Sequence, residues 1–182
     1  PCDKSLEQLL VGRGARAAGH QRVGLAAMLS GDFPAAAEAF GEWNRVHPNS
    51  RWSYVKYALA LALNGQCEES LASLTRLETV SDSAPSTLLD SWIAWGHKVC
   101  GREDLYQVSR DRIQAAWNEE PDAFDPGYAY LLALEGDTEG LFELLTRVVE
   151  ARSPFTAFIS IFVVDYLGWA VSDTMPDHPG YR

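Results

Sequence analysis

Apolar positions along this chain recur at spacings of three and four, and short glycine turns break the pattern at nearly even intervals. Ala36, Ala39, Phe40, Trp43 and Val46 make one such stripe, the pattern of a helix with a single buried face. Four turn signals punctuate the chain: Ser30-Gly31-Asp32-Phe33, Asn64-Gly65-Gln66-Cys67, Cys100-Gly101-Arg102-Glu103 and Glu135-Gly136-Asp137-Thr138. Their glycines stand 34, 36 and 35 residues apart, and each turn follows one apolar run and precedes another. Pro48, Pro85, Pro121 and Pro154 form a second set of marks, roughly 17 to 20 residues after each glycine.

A helix, a glycine turn, a second helix and a proline-marked linker make a unit of about 34 residues. The expected fold is therefore all-α, an alpha-alpha superhelix in which about four helix–turn–helix units form a short solenoid with flanking cap helices. The units fall near 18–49, 50–84, 86–121 and 122–154, within one domain over 1–182. No unit can bury its stripe alone, so stability comes from stacking on neighbours. The small residues Gly24, Ala27, Ala36 and Ala39 let paired helices approach closely. The third unit carries two or three extra residues before Pro121, so its second helix is expected in a shifted register. Residues 4–19 read as a leading helix, 155–167 as a helix covering the last unit, and 155–182 as a capping helix and tail.

Phe155 to Val171 is strongly apolar, but it is only 17 residues long and contains Asp165. A spanning helix needs about 20 apolar residues, and a carboxylate at mid-membrane costs several kcal/mol. The segment reads as a core or capping helix, with no membrane insertion. Hydrophobic residues make up 47% of the chain and charged residues 22%, a globular balance rather than a disordered one. The formal net charge of −10 argues against a nucleic-acid partner, which calls for a basic stripe. Arg13, Arg16, His20 and Arg22, the densest basic stretch, read as the solvated face of a helix. The chain opens on Pro-Cys-Asp-Lys without Met, which looks like a piece of something longer.

The segment from Gly24 to Pro48 resembles a tetratricopeptide repeat. Gly31, Asp32 and Phe33 match the family's G-D-Y turn, Ala36 its small residue, Phe40 the aromatic that follows and Pro48 its closing proline. The second unit keeps Tyr57, Ala58, Leu61, Gly65, Leu74 and Leu77, with Ser70 at the small position. The fourth keeps Tyr128, Ala129, Leu132, Gly136, Asp137, Leu145 and Val148, with Leu141 where a small residue belongs. The third keeps Ile93, Ala94 and Gly101. The ending from Met175 to Arg182 loosely resembles the endings of repeat arrays in bacterial winged-helix regulators and nucleotide cyclases.

The resemblance implies that each unit's first helix lines a concave groove that holds a partner. The family's groove positions fall on Gln21, Leu25 and Met28, then Trp52, Val55, Lys56 and Leu59. In the third and fourth units they fall on Ser91, Trp92, Trp95 and Lys98, and on Tyr130 and Leu134. Trp52, Lys56, Trp92, Trp95, Lys98 and Tyr130 are the candidate binding residues. Trp and Tyr dominate binding hot spots, and a lysine can meet a carboxylate. The same aromatics could instead fill the gaps between helices. The family's carboxylate-clamp type needs Lys and Asn where this chain has Gln21 and Leu25, so co-chaperone function is not expected.

The resemblance also places Cys67, at the start of one helix, near Cys100, at the end of an antiparallel neighbour. The two could form a disulfide or remain two reduced thiols. A bond implies an oxidising compartment such as the periplasm; otherwise the cytoplasm is favoured. Cys2 is the third cysteine, and the odd count argues against a disulfide framework.

Little else points to chemistry. His20, His47, His97 and His178 have no second histidine at ligand spacing, and no paired C-x-x-C or phosphate loop occurs. The glycine-rich run at 12–19 lacks the preceding strand that a dinucleotide fingerprint requires. Glu119, Glu120, Asp122 and Asp125 form an acidic linker that reads as a solvated loop before a metal site. No catalytic residue, metal or cofactor is expected. The functional expectation is a non-catalytic scaffold for a protein or peptide segment. The alternative is a sensory or regulatory region of a larger bacterial signalling protein that binds a small ligand or self-associates.

Overall fold

A computed structural model describes residues 18–77, 80, 86–120 and 125–151, and these hold eight α-helices and no strand. Helix α1 is seen over residues 18–29. It is followed by α2 (Phe33–Val46), α3 (Arg51–Leu63), α4 (Cys67–Leu77), α5 (Thr87–Val99), α6 (Glu103–Glu119), α7 (Pro126–Glu135) and α8 (Thr138–Glu150). The leading helix expected over 4–19 falls almost wholly outside the described residues. So do the covering helix over 155–167, the tail to 182, Cys2, His178, Pro85, Pro121 and Pro154.

The four turns are built alike. Gly31, Gly65, Gly101 and Gly136 have φ between +67° and +77°, the left-handed region where a side chain is strained. Each glycine N–H donates to the carbonyl three residues back: Gly31 to Met28, Gly65 to Ala62, Gly101 to Lys98 and Gly136 to Ala133. The next N–H donates five residues back, from Asp32 to Ala27, Gln66 to Leu61, Arg102 to His97 and Asp137 to Leu132, all at 2.9 Å. This bond pair is the Schellman motif, which closes a helix while satisfying its last carbonyls. Asp32 and Asp137 then start the next helix, accepting from the N–H groups of Ala35 and Gly140 at 3.1 and 3.0 Å.

The described helices fall into two compact bodies. The first holds α1 to α4 with Gly96–Arg102, and the second holds the α5 residues up to Trp95 with α6 to α8. In the first body, α3 packs on both α2 and α4, so it is buried nearly all round, from Val55 to Ala62 with Tyr57 half-covered. Gly24 of α1 faces the ring of Phe40, and a Cβ added there would lie 2.5 Å from Phe40 Cε1. Two hydroxyls explain why serine serves on the buried face of α4. Ser70 donates to the carbonyl of Ala58 at 2.7 Å and Ser73 to that of Tyr54 at 3.3 Å, so neither buried oxygen lacks a partner.

In the second body, α7 packs on α6 and α8. Its core gathers Ala94, Tyr106, Ile113 and Leu131. Gly127 comes so close to the backbone of Thr87 that a Cβ would collide with its carbonyl. Asp125 caps α7 by accepting from the N–H groups of Gly127 and Tyr128 at 2.7 and 3.2 Å, and Thr87 Oγ1 donates to the same oxygen at 2.7 Å. Asp125 is thus a helix cap rather than a member of a solvated acidic loop, while Glu119 and Glu120 are exposed and Asp122 lies outside the described residues.

The register shift expected in the third repeat does not occur. The buried positions of the second helices stand five, eight and twelve residues after each glycine: Ala36, Ala39 and Trp43; Ser70, Ser73 and Leu77; Tyr106, Ser109 and Ile113; Leu141, Leu144 and Val148. The extra residues instead lengthen α6 to 17 residues, against 11 in α4, and carry the stripe one turn further to the buried Trp117.

Candidate functional site

Counting backward from the glycines locates the candidate residues. Gly24, Ala58, Ala94 and Ala129 stand seven residues before their turns and are all buried, the small position that close helix packing needs. Leu25, Leu59, Trp95 and Tyr130 stand one residue later. Lys56, Trp92 and Gly127 share the position nine residues before the turn. The candidates therefore sit on the first helices at equivalent places, and the two bodies use them differently.

In the second body Trp92, Trp95 and Tyr130 form one aromatic cluster. Trp92 lies 6.4 Å from Trp95 at 64° and 5.9 Å from Tyr130 at 60°, and Trp95 lies 6.5 Å from Tyr130. These are the tilted and edge-on arrangements that aromatic quadrupoles favour. The three are 3%, 8% and 0% exposed, so they fill the space between α5 and α7 and offer solvent almost no surface. A second stack joins Trp117 and Tyr128, 4.3 Å apart and 7° from parallel, with the Arg147 guanidinium 5.6 Å from the Trp117 ring.

In the first body Lys56 is also buried, at 3% exposure. Its ammonium lies 5.6 Å from the centre of the Trp43 ring, a cation–π contact. Burial pushes this lysine down to about 8 from an ordinary 10.5, because a low-dielectric site penalises the charged form. Trp52 is half-buried and Lys98 is exposed. Cys67 and Cys100 come to disulfide-bonding distance, with their Cα atoms 5.5 Å apart, and both are half-buried.

The sequence reasoning missed a polar clasp in the second body. Nine residues after the glycine, three second helices place Phe40, Leu74 and Leu145, and α6 places Arg110. Its guanidinium donates to Glu135 at the end of α7, and the Tyr106 hydroxyl donates to the same carboxylate at 3.4 Å. Burial first, and then the Glu135 charge, pushes Tyr106 up to about 12. The visible signal was a charged residue in an otherwise apolar repeat position.

Among the described residues no cluster of His, Cys, Asp or Glu could hold a metal ion. No helix among them is long and apolar enough to cross a membrane. Comparison with known protein families, with curated proteins and with solved structures finds no match.

Proposed function

We propose that this chain is a non-catalytic scaffold of tetratricopeptide-like repeats that binds a protein or peptide segment. The observation that carries this reading is the repetition itself. Four identical glycine-closed turns are each followed by burial at the same three offsets. A structure so regular invests its sequence in a framework, and frameworks of this kind serve as extended binding surfaces. Trp52 and Lys98 make direct contact, an aromatic anchor and a cation for an acidic group on the partner. Trp92 and Trp95 of α5 pack on Tyr130 of α7, and Lys56 of α3 meets Trp43 of α2, so these four candidates hold the framework's helices in place rather than touch the partner. The partner is a protein rather than nucleic acid, given the net charge of −10, and a second copy of the chain is one form it could take.

Affinity capture on the protein in its natural length, followed by mass spectrometry, identifies the partner. Trp52→Ala and Lys98→Ala should each weaken capture at least about tenfold with an unchanged circular dichroism spectrum. Full capture by the double variant overturns the assignment. Trp95→Ala and Tyr130→Ala are poor probes of binding, because both side chains are core.

A second reading has its own support. The Cys67–Cys100 pair at bonding distance favours an oxidising compartment such as the periplasm, and with it a sensory or regulatory region of a larger bacterial signalling protein. Ligand-dependent self-association measured by sedimentation would favour this second reading over the first.

A further inference from the structure

We infer that this chain self-associates through a heterologous contact, in which the exposed face of α8 in one copy packs on the exposed face of α1 in another. The inference is independent of the scaffold reading, since neither face carries Trp52 or Lys98.

The junction of α2 with α3, inside the first body, supplies the template. Three contacts mark it. Asn44 Oδ1 accepts from the Ser53 hydroxyl at 3.0 Å, the Lys56 ammonium lies against the Trp43 ring, and a Cβ added at Gly41 would lie 3.2 Å from the Tyr57 ring. On α2, Gly41, Trp43 and Asn44 stand ten, twelve and thirteen residues after Gly31; on α3, Tyr57, Lys56 and Ser53 stand eight, nine and twelve before Gly65. The same counts from Gly136 fall on Thr146, Val148 and Val149 of α8, and from Gly31 on Val23, Arg22 and Gly19 of α1.

The positions that the α2–α3 junction covers are open on these two helices. Ser53 and Lys56 are buried, and Gly41, Asn44 and Tyr57 are half-buried. Their counterparts Gly19, Arg22, Val23, Thr146 and Val149 are all exposed, Val23 at 59% and Val149 at 52%. Val148 alone is buried, as Trp43 is. Ala60, five residues before Gly65, is buried, whereas Ala26, at the same place on α1, is exposed. A Cβ added at Gly19 would meet nothing within 4 Å, so the backbone there is open to close approach. An exposed valine taken singly needs no explanation. Here both valines fall on positions that the repeat uses for helix stacking, and the fold already contains a helix pair joined through them.

Charge favours a second copy as the occupant. Over residues 18–29, α1 carries Arg22 and His20 and no carboxylate. Helix α8 carries Glu139, Glu143 and Glu150, all exposed, against one arginine, Arg147. Opposite charges flanking an apolar centre steer two surfaces together and fix their register. Either face set against its own copy brings like charges together, so the pairing is of α8 with α1 rather than a symmetric one.

The test is sedimentation velocity on the whole chain, from micromolar to near-millimolar concentration. Wild type should associate reversibly, and more weakly at high salt. Val23→Glu and Val149→Glu, both at exposed positions, should each weaken association at least about tenfold with unchanged circular dichroism. An equimolar mixture of the two variants should form a dimer and nothing larger, because one variant keeps a sound α8 face and the other a sound α1 face. Wild type that stays monomeric throughout overturns the inference, whether a further segment or a different partner covers these faces. So does association that survives both substitutions, or a mixture of the variants that fails to recover the dimer.

Discussion

Lys56→Met should stabilise the protein near neutral pH, contrary to the usual effect of altering a buried residue. Lys56 is 3% exposed and held down to about 8 by burial. Below pH 8 its ammonium is charged in both the folded and unfolded chain, and the full cost of burying the charge is present. As pH rises from 8 toward 10.5 the folded chain releases its proton first. The unfolded chain then binds more protons, and stability rises. The gap between the two values amounts to about 3 kcal/mol at pH 7, of which about 2 kcal/mol is recovered by pH 9.5. Methionine keeps the length and the burial without the charge. It forfeits the contact with Trp43, which is about 1–2 kcal/mol at a desolvated site. The expected net gain at pH 7 is therefore about 1–2 kcal/mol. Urea unfolding of the oxidised protein, at about pH 7 and about pH 9.5, reads both effects. The wild type should gain about 2 kcal/mol between the two conditions, and the variant should gain none. A variant weaker than wild type at pH 7, or a wild type whose stability is flat across the window, refutes the reasoning. The comparison stays below pH 10 because Tyr106, pushed up to about 12, acts in the opposite sense. Its folded form resists ionisation, so stability falls from pH 10 toward 12.

Other substitutions probe packing. Gly127→Ala drives a methyl into the Thr87 backbone and should cost at least about 2 kcal/mol in chemical denaturation. Gly65→Ala, at φ +77° with open space around it, should cost only the backbone strain of about 1–2 kcal/mol. Tyr130→Ala empties the centre of the aromatic cluster and should cost about 3–5 kcal/mol; a loss under about 1 kcal/mol would mean that the cluster is not core. Arg110→Ala, at a clasp about one-third exposed, should cost less than about 1 kcal/mol, and high salt should shrink the difference further.

The sequence displayed the turns and the buried stripes because both depend on local chemistry. A glycine at φ > 0 and an apolar residue every three or four positions are visible one residue at a time. The third repeat misled for a related reason. Counting residues between Gly101 and Pro121 cannot distinguish a shifted helix from a longer one, and α6 absorbed the surplus as an added turn. The groove was legible only as positions. Trp92, Trp95 and Tyr130 do stand at equivalent places on the first helices, but whether a ring faces water or a neighbouring ring depends on helices distant in sequence. Lys56 shows the same limit. Its position resembled that of a surface cation, and nothing near it in sequence announces burial beside Trp43. Gly127 was legible in retrospect: a glycine directly after an Asp-Pro start, at the place where another first helix carries tryptophan, marks a close approach of backbones.

The aromatic cluster also makes the second body its own optical reporter. Trp92, Trp95 and Tyr130, with ring centres 5.9 to 6.5 Å apart, are close enough for their excited states to couple and for tyrosine to pass its excitation to tryptophan. Such a fixed, asymmetric group of chromophores gives a strong near-ultraviolet circular dichroism band, which vanishes when side-chain packing loosens even if the helices survive. In the first body, Trp43 lies beneath a lysine that sheds its charge near pH 8, so its emission should change with that titration. Without any attached dye, the chain carries one signal for the tightness of its second body and another for the charge buried in its first.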